Sequence, residues 1–109
     1  MNKGLSAWRK TPTGPVMAAL FDRLGRRWAL RVVWELRDGP RNFRALQTAC
    51  GRLSPSVLQV RLHELGEAGI VEKVPRLGYR LSIEGEGLCA VLGSLYAWRQ
   101  TAQLGNKKL

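Results

Sequence analysis

The stretch that decides the fold is Leu53-Ser54-Pro55-Ser56-Val57-Leu58-Gln59-Val60-Arg61-Leu62-His63-Glu64-Leu65-Gly66-Glu67-Ala68-Gly69. Ser54 is a favoured N-cap residue, and Pro55 suits the first helical position, where a missing N–H costs nothing. Leu58, Leu62 and Leu65 recur at helical spacing as one core-facing row, and Ala68-Gly69 closes the helix. Ser56, Gln59, Val60 and His63 are left on the outward face near the N-terminal half. A helix that enters a major groove offers its N-terminal residues to base edges, and short polar side chains with one apolar contact suit that task. Gln59 matches adenine, and Val60 matches a thymine methyl.

Upstream, residues 1–14 hold few apolar anchors (Leu5, Trp8) and read as a flexible basic arm. Pro15 to Leu24 repeats Val16, Ala19, Leu20 and Leu24 at helical spacing. A second helix is expected over about Arg26 to Arg37, with Trp28, Ala29, Val32, Val33 and Leu36 as its apolar stripe and Trp28 as a core anchor, until Asp38-Gly39-Pro40 stops it. A short third helix covers about Phe43 to Ala49, with Phe43 and Leu46 inward and Gly51 at its end. Downstream, Ile70–Val74 and Tyr79–Ser82 alternate in polarity around Pro75-Arg76-Leu77-Gly78, a hairpin pattern. A last helix is expected from about Glu84 to Gln103, with a frayed tail at 105–109. The order predicts a mainly α chain with a small β-hairpin (α+β), a winged helix-turn-helix over 15–104.

Charge narrows the function. The 109 residues carry 18 Lys plus Arg against 8 Asp plus Glu, a net charge of +10, with 45% hydrophobic content. That length supports one domain with its own core, and the charge excess calls for a polyanionic partner. Arg41 and Arg44 open helix three, Arg52 lies in the turn and Arg61 on the candidate reading helix. Lys73, Arg76 and Arg80 lie on the hairpin. Such cations hold phosphates and set register, with Ser54 and Ser56 at the helix start where free N–H groups add a phosphate seat. Arg23, Arg26, Arg27 and Arg31 cluster at the helix one–two junction with no assigned role, and Lys3, Arg9, Lys10, Lys107 and Lys108 suit unspecific contact.

Other classes fall away. The longest uncharged run, Gly87–Trp98, is shorter than the roughly 18 residues of a membrane span, and no apolar leader region precedes the helices, so a cytoplasmic protein without membrane association is expected. Cys50 and Cys89 lack ligand spacing and read as free thiols; His63 is the single histidine, so no metal site is expected. The acids are scattered, Glu64 and Glu67 beside the reading helix and Glu84 and Glu86 in the first turn of the last one, and form no catalytic constellation. Neither an enzyme nor a cofactor is expected.

The segments Leu24-Gly25-Arg26-Arg27-Trp28, Asp38-Gly39-Pro40-Arg41-Asn42-Phe43-Arg44-Ala45-Leu46, Leu53-Ser54-Pro55-Ser56-Val57-Leu58 with Arg61-Leu62 and Leu65, Ala68-Gly69-Ile70-Val71 and Tyr79-Arg80-Leu81-Ser82 stand in a fixed order. Over about residues 15–100 this resembles the HxlR-type transcriptional regulators, relatives of the MarR group. The resemblance implies a homodimer joined through its terminal helices, on a palindromic operator. The chain departs from the family at several places. Gly14 stands before Pro15 where members often carry a cysteine, which some use to sense electrophiles or oxidants. The hairpin is shorter than usual, Asn42 replaces a common Arg, Arg31 an aliphatic residue, and Trp34 a polar one.

An exposed apolar surface fits the dimer. Leu88, Val91, Leu92, Leu95, Tyr96 and Trp98 on the last helix exceed what a lone chain of this size covers easily, and Val16, Met17, Leu20 and Phe21 of helix one supply the opposing surface of an isologous pair. The expected function is a sequence-specific repressor of transcription that binds double-stranded DNA as a homodimer; whether it takes a small-molecule effector is open. The alternative is an architectural or accessory nucleic-acid binder without sequence preference. A protein–protein adaptor that has lost DNA binding is disfavoured by the intact cations.

Overall fold

A computed structural model of the chain describes residues 10–106. Among the described residues, five helices and one two-stranded antiparallel sheet follow in the order α1 (Pro15–Leu24), α2 (Ala29–Glu35), α3 (Phe43–Ala49), α4 (Pro55–Glu67), β1 (Val71–Val74), β2 (Gly78–Leu81) and α5 (Ile83–Asn106). The winged helix-turn-helix expectation therefore holds: α3 and α4 form the helix-turn-helix, and β1–β2 the wing.

The core gathers where these elements converge. Val32, Val33 and Leu36 from α2 and its C-terminal turn meet Leu46 and Cys50 of the α3 region. Leu58, Leu62 and Leu65 of α4 complete the centre, and Ile70, Val71 and Leu81 close it from the wing. Phe43, Trp28, Leu88 and Leu92 pack on its rim.

Two buried or half-buried polar joints fix the wing and the last helix. Arg41 forms a one-residue bridge to Tyr79, N–H to carbonyl in both directions at 3.0 and 2.9 Å, so the wing strand continues into the segment that precedes α3. Gly78 (φ 112) allows that approach, because a Cβ there would collide with the Arg41 backbone. Ser82 joins the wing to α5: its Oγ accepts from the Gly85 N–H (3.0 Å) and donates toward the Gly69 carbonyl (2.5 Å), so it caps α5 while holding the turn after α4. Gly85 is forced in the same place, since a side chain would strike the Ile70 carbonyl.

Four expectations are corrected. Helix α2 starts at Ala29 rather than about Arg26 and ends at Glu35 rather than Arg37. Its start is set by Trp28, which adopts φ 78, a left-handed conformation that cannot continue a helix, so this tryptophan is a half-buried N-cap residue packed on the core rim. Its end is set by tightening: the Leu36 and Arg37 N–H groups bond three residues back, to Val33 and Trp34. Ser54 holds the N-cap position of α4 without a side-chain cap; its hydroxyl lies 3.0 Å from that of Ser56. The side-chain cap belongs instead to Asn42, whose Oδ1 accepts from the Ala45 N–H at 2.8 Å. Finally, α5 spans Ile83–Asn106 rather than about Glu84 to Gln103, so residues 105 and 106 of the expected frayed tail are helical, and the strands are Val71–Val74 and Gly78–Leu81, without Ile70 and Ser82. Most of the N-terminal arm lies outside the described residues.

Ser82→Ala removes the cap and leaves the buried Gly85 N–H without a partner. It is expected to lower unfolding free energy by about 1–2 kcal/mol in urea denaturation, while the exposed neighbour Ile83→Ala changes it little.

Candidate nucleic-acid interface

Because Leu58, Leu62 and Leu65 are buried, the helical repeat turns Ser56, Gln59, Val60 and His63 outward, and all four are exposed. On one flank of α4, Gln59, His63 and Glu67 face Lys73 and Tyr79 of the wing across an open cleft. His63 Nε2 lies 3.5 Å from Glu67 Oε2. Ahead of the α4 N-terminus stands the turn Cys50–Ser54, in which Gly51 (φ 72) and Arg52 (φ 62) are both left-handed. Gln47 holds that turn from two sides: its carbonyl accepts the Arg52 N–H (2.9 Å) and its Nε2 donates to the Leu53 carbonyl (2.9 Å). The turn thereby projects the Arg52 side chain into solvent.

The expected phosphate cations divide by what they already touch. The side chains of Arg44, Arg52, Lys73 and Arg76 are exposed and make no hydrogen bond or ion pair with other described residues. Arg76 tops the wing loop with φ 69. Arg80 is exposed but paired across the strands with Glu72 at 2.9 Å. Arg41 is half-buried and donates to the Glu35 carbonyl at 2.7 Å. Arg61 has only 17% of its side chain exposed, and bonds both Glu64 (2.8 Å) and the Arg27 carbonyl (2.7 Å). Arg41 and Arg61 thus hold elements together, a role that sequence position alone did not reveal.

The second expected surface is also only partly brought together. Val16 (75% exposed), Met17 and Phe21 on α1, and Val91, Leu95, Tyr96 and Trp98 (63% exposed) on α5, lie open. Leu20 is half-buried, and Leu88 and Leu92 turn toward the core. The two unusual residues of α2 belong to this region. Arg31 pairs with Glu35 (2.8 Å) and caps the Ala49 carbonyl (2.9 Å), and Trp34 stacks on Tyr96 with ring centroids 6.5 Å apart. Arg37 covers the Trp34 ring at 4.5 Å.

The HxlR-like helix-turn-helix family model matches residues 23–106. The chain belongs to that family. It is a helix-turn-helix transcriptional regulator related to the MarR group, and not an enzyme. Over 90 residues it is 34% identical to YvaP of Bacillus subtilis (strain 168), an uncharacterized HTH-type transcriptional regulator, covering 77% of this chain and 83% of that one. It is 33% identical over 90 residues to YodB, an HTH-type transcriptional regulator of the same strain, covering 77% of this chain and 80% of YodB. The crystal structure of quinone-bound YodB superposes with a TM-score of 0.73, over 82% of this chain and 99% of that chain. A chain from Enterococcus faecalis V583 described as a MarR-family transcriptional regulator superposes with a TM-score of 0.77 at 27% identity, over 91% of this chain and 96% of that one.

In this HxlR-family chain the position before Pro15 is Gly14, the extended N-cap of α1. Its thiols lie elsewhere: Cys50 is buried at the end of α3 and Cys89 half-buried on α5. Burial pushes the Cys50 thiol up, partly offset by Arg31 and Arg41, with Glu35 adding to the rise. Cys89 is also raised, first by burial. Raised values keep both thiols protonated and poorly nucleophilic at neutral pH. Cys50 is therefore expected to react with a thiol reagent at pH 8 only as fast as the chain unfolds, which kinetics in rising urea would check. Because the folded pKa lies above the ordinary 9.0, the protonated thiol's contribution is complete below that pH and is lost as pH climbs through the folded value; urea midpoints should fall accordingly.

Proposed function

We propose that this regulator binds DNA sequence-specifically as a homodimer on a palindromic operator and represses transcription there. The observation that carries the reading is the exposed row Ser56, Gln59, Val60 and His63 on α4, bordered by the unpaired cations Arg44, Arg52, Lys73 and Arg76. The row offers base-edge contacts; the cations suit phosphates on either side of the inserted helix. Ser54, Arg41, Arg61 and Arg80 support the interface, Arg41 and Arg61 chiefly by holding its parts in place.

The dimer reading rests on the open apolar residues of α1 and α5, which water disfavours leaving exposed. Joined through them, two copies would set their α4 helices about 34–36 Å apart, one turn of duplex, which is why a two-fold symmetric operator follows. Repression follows if that site overlaps a promoter. A protein acting on chromosomal DNA works in the cytoplasm of bacteria such as those holding its relatives.

Selection from a random duplex pool is expected to return two inverted half-sites about 10 base pairs apart, centre to centre. Equal recovery of unrelated sequences would overturn the operator reading in favour of an unspecific architectural binder. Gln59→Ala is expected to relax preference at one position of each half-site, whereas Arg76→Ala weakens all duplexes alike. Val91→Glu, which places a charge in the open α5 surface, is expected to give a monomer in sedimentation with the helical content intact.

A further inference from the structure

Helix α4 is flanked on two sides, and only one of them is the wing. The opposite edge of the helix carries Arg61 and Glu64, and the turn joining α1 to α2 rests there. Arg61 Nε donates to the Arg27 carbonyl at 2.7 Å, and Arg23 Nη1 donates to the Glu64 carbonyl at 3.3 Å. With 3.6 residues per turn, the row Ser56, Gln59, Val60 and His63 lies between the edge that faces Lys73 and the edge that faces this turn.

The turn has a fixed shape. The Gly25 N–H bonds to the Phe21 carbonyl at 2.8 Å, and a Cβ at Gly25 would come within 2.6 Å of the same oxygen. Trp28 holds φ 78, uncommon for so bulky a residue, and the Arg27 guanidinium sits over its ring at 5.5 Å. Between these two points Arg26 and Arg27 are exposed, and neither forms an ion pair with another described residue. Asp22, Glu64 and Glu67 line the adjoining cleft with Arg23 and Arg26. Of these acids Glu64 is bonded by Arg61 at 2.8 Å, and Glu67 lies 3.5 Å from His63. Glu64 and Glu67 belong to α4 and are engaged there, and Asp22 of α1 forms no ion pair with a described residue, so the Arg26 and Arg27 side chains stay exposed to a ligand from solvent.

We infer that the α1–α2 turn is a second phosphate-holding site, at which Arg26 and Arg27 grip the DNA backbone on the side of α4 away from the wing. The inference rests on α4 being the helix that enters the groove. A major groove about 12 Å wide is walled by phosphates on both edges, so an inserted helix needs cations on both flanks. The wing supplies one flank. The turn supplies the other, with planar guanidiniums whose paired N–H groups match a phosphate. Arg61 is the positioning residue, tying the turn to the helix whose register it sets. This gives a role to Arg26 and Arg27, two of the four junction arginines that the sequence pattern left unassigned.

The test is the salt dependence of duplex binding by the full-length chain carrying Arg26→Gln and Arg27→Gln together, measured by fluorescence anisotropy on a selected duplex and its scrambled counterpart. The expected result is a slope of log affinity against log salt smaller by about 1–2, since each neutralised phosphate contributes about 0.9, with affinity for both duplexes lowered by a similar factor and sequence preference retained. Arg26→Lys with Arg27→Lys is expected to restore most of the slope. Binding by the parent chain with a slope that the double variant leaves unchanged overturns this inference alone. Absence of duplex binding by the parent chain at low salt overturns the DNA reading and this inference with it. Both substituted side chains are exposed, and unaltered circular dichroism of the variant confirms that the fold is kept.

Discussion

Leu58, Leu62 and Leu65 are nearly inaccessible to solvent, and their burial sets the orientation of everything outward of them. A leucine withdrawn from water contributes about 1.5–3 kcal/mol relative to an exposed one, so a rotation of α4 that uncovered the row would forfeit several kcal/mol. The helix is thereby locked about its axis. Ser56, Gln59, Val60 and His63 are outward not through their own preference but because the leucines cannot be. The polar row carries no structural burden, which leaves it available for contacts with another molecule.

An oriented helix needs flanking elements at fixed positions, and these are held by polar joints as well as by apolar area. The Arg41–Tyr79 bridge anchors the wing, and Ser82 ties the wing and α5 to the turn after α4. Arg31 crosses from α2 to the Ala49 carbonyl at the end of α3, and Arg61 crosses from α4 to the α1–α2 turn. Hydrogen bonds that involve a charged donor are stronger than neutral ones, and they also demand a geometry that hydrophobic contact does not. A chain with a net charge of +10 thus spends some of its cations on its own architecture. Among the described residues, cations whose side chains form no ion pair lie on several sides of α4: Arg44 on α3, Arg52 in the turn, Lys73 and Arg76 on the wing, and Arg26 and Arg27 at the α1–α2 junction. Repulsion among them favours a polyanion as the group that neutralises the surface.

How much was legible in the sequence depended on the range of the interaction. The N-cap position and N1 proline of α4, the glycine stops after α3 and α4, the leucine spacing and the alternation of the hairpin are local signals, and each led to an element in the right place. Helix α2 was misjudged at both ends because Trp28 adopts a positive φ that no propensity of tryptophan announces. The cap at Ser82 is a local signal that was read as part of the hairpin strand, and only the fold shows that the same hydroxyl also holds the Gly69 carbonyl, thirteen residues earlier. Arg41 and Arg61 looked like surface cations, and nothing short of the folded packing distinguishes an arginine bonded to a distant carbonyl from one that faces water.

The sequence by itself determined the order of elements, the sign of the surface charge and which face of α4 is polar, because periodicity and capping act over a few residues. Tertiary structure alone decided which arginines are consumed internally and which apolar residues of α5 turn inward, Leu88 and Leu92 rather than Val91 and Trp98. It also decided that the α1–α2 turn lies beside α4. Those outcomes depend on carbonyls and side chains brought together across tens of residues, and no local pattern encodes such a meeting.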